Sequence, residues 1–115
     1  MTIRELFIEV GVDINVVIDR FAGNEMLLER FIRKFPDDKN FEELKKAVEK
    51  CDDPVIERTA HTLKGVSANL GFSELSKKCA NIVQAVRQNK QETIPSFFRE
   101  LSAEYEKIVD CIKQL

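Results

Sequence analysis

Ala60-His61-Thr62-Leu63-Lys64-Gly65-Val66-Ser67-Ala68-Asn69-Leu70-Gly71 contains the only histidine of a 115-residue chain. It also carries a glycine where a helix interior is expected. Upstream, Asp52-Asp53-Pro54 is a helix start signal, with Asp53 as the cap and Pro54 at the first helical position. Gly71 is the matching stop. Together they predict a helix from about Asp53 to Leu70. An α-helix turns by about 100° per residue, so Ile56, Thr59, Ala60, Val66, Ser67 and Leu70 all fall within about 60° of Leu63. That stripe of apolar and small residues is the core face. His61 lies about 160° from Leu63 and points away from it, with Gly65 and Ala68 nearby and Lys64 flanking them. A mid-helix glycine costs about 1 kcal/mol relative to alanine. Gly65 follows His61 by one turn, so the surroundings of the imidazole are pared down to hydrogen and methyl.

Outward from this helix the periodicity stays helical. Ile3, Leu6, Phe7 and Val10 predict a short amphipathic helix over residues 2–10, ended near Gly11. Asp13 is the cap of a second short helix carrying Ile14, Val17, Ile18 and Phe21. Gly23 and Asn24 break the pattern, and Asn24 caps a helix from Glu25 to about Phe35 with Leu28, Phe31, Ile32 and Phe35 inward. Pro36-Asp37-Asp38 stops it. Asn40 and Glu43 make a capping-box-like pair for the next helix, whose inward residues are Phe41, Leu44, Val48 and Cys51. Ser73 caps the helix after Gly71, with Leu75, Cys79, Ile82 and Val86 inward. Asn89-Lys90-Gln91 is a polar connector. In the last helix Ile94, Phe98, Leu101, Tyr105, Ile108, Ile112 and Leu115 recur at intervals of four and three, the pattern of a long bundle wall. The prediction is a single all-α domain over residues 1–115. It consists of an antiparallel four-helix bundle over residues 24–115 with two short additional N-terminal helices over residues 1–22.

Composition removes several function classes. Apolar residues make up 43% and charged residues 33%, enough for both a core and a solvated surface. The formal net charge of −2 offers no basic excess for nucleic acid. Cys51, Cys79 and Cys111 are three in number and far apart, which fits reduced, mostly packed thiols in a cytoplasmic protein. One histidine and scattered thiols give no metal-ligand set, and no cofactor fingerprint occurs. Neither a signal peptide nor a membrane span is expected from the residue pattern. A Ser-His-Asp or Cys-His hydrolase needs a pocket around its histidine, which an outward-facing His61 does not supply. An exposed imidazole can instead accept a group covalently, because imidazole is a nucleophile when unprotonated and titrates near neutral pH. A phosphoryl group on its nitrogen is labile enough to pass onward to a carboxylate. Lys64 can then supply a cation to the phosphoryl oxygens.

The stretch His61-Thr62-Leu63-Lys64-Gly65 with Ser67, Leu70 and Gly71 resembles the signature of histidine-containing phosphotransfer domains, the HPt family. Val16-Val17-Ile18-Asp19-Arg20-Phe21-Ala22-Gly23-Asn24 is similar to the lead-in to that family's first bundle helix. The likeness runs over roughly residues 11 to 90. It implies a phosphorelay intermediate of two-component signalling, with His61 shuttling a phosphoryl group between receiver-domain aspartates and no kinase activity of its own. The implied partners are response-regulator receiver domains and a hybrid sensor histidine kinase, with the partner supplying Mg. The chain itself is expected to be monomeric. Lys64, Arg87 and Gln84 are the implied neighbours of the phosphoryl group. Gly65, Ala68 and Glu57 form the implied receiver-docking face. The family's imidazole-orienting position aligns with Val83, which cannot hydrogen-bond, and Gln84 beside it is the substitute. A helical binding module that docks a receiver or kinase without being phosphorylated is the alternative. Met1 and a complete set of helices favour a stand-alone protein.

Overall fold

The computed structural model describes all 115 residues. Its order is α1 (Ile3–Glu9), α2 (Ile14–Asp19), α3 (Glu25–Lys34), a 3-10 turn (Phe35–Asp37), α4 (Asn40–Lys50), α5 (Asp53–Asn69), α6 (Ser73–Arg87), a second 3-10 turn (Gln91–Thr93) and α7 (Ile94–Lys113). The chain is all-α, as its periodicities predict.

Two helix starts follow the predicted chemistry. The Asp13 carboxylate accepts from the Asn15 N–H at 2.9 Å, and the Asn24 side chain accepts from the Leu27 N–H at 3.1 Å. Thr2 and Glu5 add a full capping box at α1. Three other starts are displaced by one residue. Asp52, not Asp53, caps α5, and Asp53 instead accepts from Gln91 Nε2 at 3.2 Å. Either aspartate of the tandem pair suits the cap, and the contact with Gln91 decides between them. Asn40 is the first residue of α4, its N–H held by Asp38 Oδ1 at 2.8 Å. Glu43 pairs with Arg58 at 3.8 Å rather than closing a capping box. Ser73 opens α6 with Phe72 at the cap position, because Phe72 is drawn into the core.

α5 packs most extensively on α6, then on α4, and α6 packs on α7. Thr59, Ala60, Leu63 and Ser67 on its inner face are fully buried. Three of these four are small, so neighbouring helices can come close. The buried Thr59 hydroxyl donates to the Val55 carbonyl at 2.7 Å, which removes the cost of an unpaired polar group. Aromatic rings link the rest. Phe7 meets Phe72, Phe72 meets Phe35, Phe35 meets Tyr105, and Tyr105 stacks on Phe41 with ring centroids 3.9 Å apart.

Two residues predicted inward are not. Phe31 is 48% exposed, although its ring touches Phe21. Cys51 is exposed because it is the left-handed cap of α4, with φ 54°, which swings it off the helix stripe. Ala47 occupies the buried position instead.

The two short N-terminal helices are too short to persist alone and depend on docking. Ile3, Leu6, Phe7, Ile14, Val17 and Ile18 all join the one core cluster. Arg20 Nη1 donates to the Ala68 carbonyl at 2.7 Å, which also accepts from the Gly71 N–H, and reaches the Asn69 carbonyl at 3.4 Å, so α2 clasps the C-terminal end of α5.

Candidate functional site

The outer side of α5 carries Glu57, His61, Lys64, Gly65 and Ala68 within three turns. His61, Gly65 and Ala68 are exposed, and Glu57 and Lys64 are half-buried. The inner stripe and the outer face therefore separate as the helical wheel predicts. The His61 imidazole has no hydrogen-bond or ion-pair partner within the chain; the neighbouring Thr62 hydroxyl donates instead to the Arg58 carbonyl at 3.0 Å. Both ring nitrogens are thus open to a group arriving from outside. The backbone beneath is held firmly, since Ser76 Oγ donates to the Lys64 carbonyl at 3.1 Å and ties α6 to the middle of α5.

A methyl group built at Gly65 would meet nothing within 4 Å. The glycine lies in ordinary helical backbone, so neither packing nor dihedral angle within the chain requires it.

α6 supplies the other wall. Lys64, Ala80, Val83, Gln84, Arg87 and Gln88 line an open groove of about 440 Å³. Arg87 Nε donates to Glu57 Oε1 at 3.2 Å, so α6 reaches the α5 face one turn before His61. Val83 turns into the core and is 3% exposed. Gln84 is exposed in the groove beside Lys64 and makes no hydrogen bond to His61. The structure brings Glu57, His61, Lys64, Gly65 and Ala68 together through one helix. Arg87 joins them by its ion pair and Gln84 by the shared groove. The Glu57–Arg87 pair escaped the sequence reading. The two residues are 30 apart, and only the register of α5 against α6 makes them neighbours.

Cys79, inside the same helix pair, does not add a nucleophile. Burial pushes its thiol up to about 12, with the Lys64 charge acting weakly the other way, so it stays protonated. No three His, Cys, Asp or Glu side chains converge into a group able to hold a metal ion. No helix is long and apolar enough to cross a membrane.

The Hpt domain family model matches residues 26–111 of the chain. That match defines the class, a histidine phosphotransfer protein of a two-component phosphorelay, working with receiver domains and kinases. The chain belongs to the Hpt domain family. Among solved structures it is similar to histidine-containing phosphotransfer protein B (HptB) from Pseudomonas aeruginosa PAO1, with a TM-score of 0.73 and 22% sequence identity. The likeness covers 90% of this chain and 91% of that one, and at such identity it is a likeness of fold. No curated protein matches the chain by sequence.

Proposed function

We propose that His61 is the phosphoryl carrier of this phosphotransfer protein. One observation carries the assignment: the only histidine of the chain stands exposed and unpartnered on the outer face of α5. An unprotonated ring nitrogen attacks the phosphorus of a receiver aspartyl phosphate. The N–P bond forms as the P–O bond breaks, and the aspartate leaves as a carboxylate with the electron pair. The reverse step, on a second receiver, passes the group onward. Such transfers depend mostly on positioning and charge, so the chain needs little machinery of its own.

Lys64 and Arg87 supply cations to the phosphoryl oxygens, and Gln84 offers a carboxamide from the same groove. Gly65 and Ala68 keep the approach clear for a receiver, with Glu57 at the rim of that docking face. The receiver brings the Mg ion, and a hybrid sensor histidine kinase is the source of the phosphoryl group. The protein acts as a cytoplasmic monomer, folded as one domain over residues 1–115. In it α4, α5, α6 and α7 make the four-helix bundle, and α3, although it lies within residues 24–115, joins α1 and α2 at one end. The packing of α5 on α4 and α6, and of α6 on α7, supports that arrangement.

The test is label transfer from a phosphorylated receiver domain. His61→Gln is expected to accept none and to change folding stability by less than about 0.5 kcal/mol, as exposed substitutions do. Labelling of His61→Gln to the parent's level would overturn the assignment.

A further inference from the structure

We propose that Glu57 is a positioning residue: it holds Arg87 back from the phosphoryl group and so sets how readily His61 gives that group away. The inference rests on His61 as the carrier. Glu57 precedes His61 by four residues, and side chains at that helical spacing are neighbours, with Cβ atoms about 5–6 Å apart. Arg87 reaches Glu57 from α6 through Nε at 3.2 Å, while its Nη1 and Nη2 groups have no partner in the chain. A guanidinium carries five N–H donors. The arginine therefore has spare donors beside the site, on a side chain that is 59% exposed and free to move.

A phosphoryl group on His61 introduces about two negative charges at pH 7. Glu57, one turn away, repels it, and Arg87 attracts it. While Arg87 stays on the carboxylate, the pair is close to neutral and the phosphoryl group receives only part of the cation. Without Glu57 both influences change in the same direction. The repulsion disappears and Arg87 is released to the phosphoryl oxygens. Phosphohistidine would then be held too well for a carrier that must pass its cargo on. Lys64 remains on the other side as a cation without a competing carboxylate among the chain's ion pairs.

The full chain can be charged with phosphoramidate at a fixed excess of ammonia. Phosphoramidate gives its phosphoryl group to the unprotonated ring nitrogen and releases ammonia, so no partner protein takes part. Any role of Glu57 in docking is thereby excluded from the measurement. The plateau ratio of phosphorylated to free protein is read by intact mass. Glu57→Gln is expected to raise that ratio about threefold and Arg87→Met to lower it about threefold, the range of an exposed charge pair. Glu57→Gln/Arg87→Met should fall between them. At 1 M salt, where the Debye length is about 3 Å, the differences should shrink. A ratio for Glu57→Gln at or below the parent's overturns the proposal, and so does an Arg87→Met ratio equal to the parent's. A purely structural ion pair would shift the melting temperature and leave the ratio alone. Failure of the carrier assignment looks different: His61→Gln would take up label, or the parent would take none.

Discussion

Two glycines six residues apart, Gly65 and Gly71, occupy regions with opposite needs. Gly71 sits where α5 ends against the N-terminal helices. Its φ is +88°, and a Cβ there would lie 2.6 Å from Val17 Cγ2 and 3.0 Å from Phe7 Cε1. The fold itself demands glycine at that corner, through both backbone angle and space. Gly65 has ordinary helical backbone and open space. The fold would gain from alanine there, and nothing within the chain accounts for glycine. On the proposed function, the approach of a receiver to His61 is what would account for it.

The largest expected effect breaks the fold side of this contrast. Gly71→Ala combines left-handed strain with overpacking against Val17, and is expected to cost about 3 kcal/mol in urea unfolding. A neutral result would mean that α2 yields easily and that the corner is not tight.

Gly65→Gln tests the other side. It should leave the unfolding midpoint within the range of surface substitutions yet slow transfer from a receiver about a hundredfold, since in-line transfer tolerates little displacement of the reacting atoms. Unchanged transfer would remove the physical argument that this face is where a receiver approaches. Gly65→Ala sharpens the point with a smaller and opposite effect on stability. It should stabilise the protein by about 1 kcal/mol, with transfer largely retained because a methyl group matches the neighbouring Ala68.

The smallest effect concerns the inner side of the same helix pair. In the unfolded chain the Cys79 thiol titrates near its ordinary 9.0, and in the folded protein near 12. Its contribution to stability is therefore complete below pH 9 and is lost as the pH rises from 9 toward 12. Between pH 8 and 10 the parent should lose about 1 kcal/mol more than Cys79→Ala loses, measured by parallel urea titrations. Equal pH slopes would place Cys79 in contact with water.

Much of this was legible in the residues. The face of His61 followed from helical spacing alone, because α5 is long enough for one stripe to dominate. Helix starts were legible to one residue: the tandem Asp52-Asp53 offers two caps, and only Gln91 on a distant turn chooses between them. Phe31 and Cys51 misled for a different reason. Both follow the inward spacing, but Phe31 is only partly covered, touching Phe21 at the rim of a groove it shares with Val66 and Leu70, and Cys51 lies past the point where its helix uncoils. Val83, which aligns with the family's orienting position, belongs to the core. The Glu57–Arg87 pair depends on how two helices are set against each other, which neither helix's periodicity contains.

Arg20 clasping the end of α5 has a consequence for where this protein can be cut. The family match begins at residue 26, yet the core runs back to Ile3. A fragment starting at residue 26 would retain every residue of the histidine face and lose the lid over Leu70 and Phe72. Its α5 would lose the Arg20 clasp and end beside wet aromatic surface, so the helix bearing His61 would fray from that end. The boundary that inheritance draws and the boundary that cooperativity draws fall in different places in this chain, and the second includes α1 and α2.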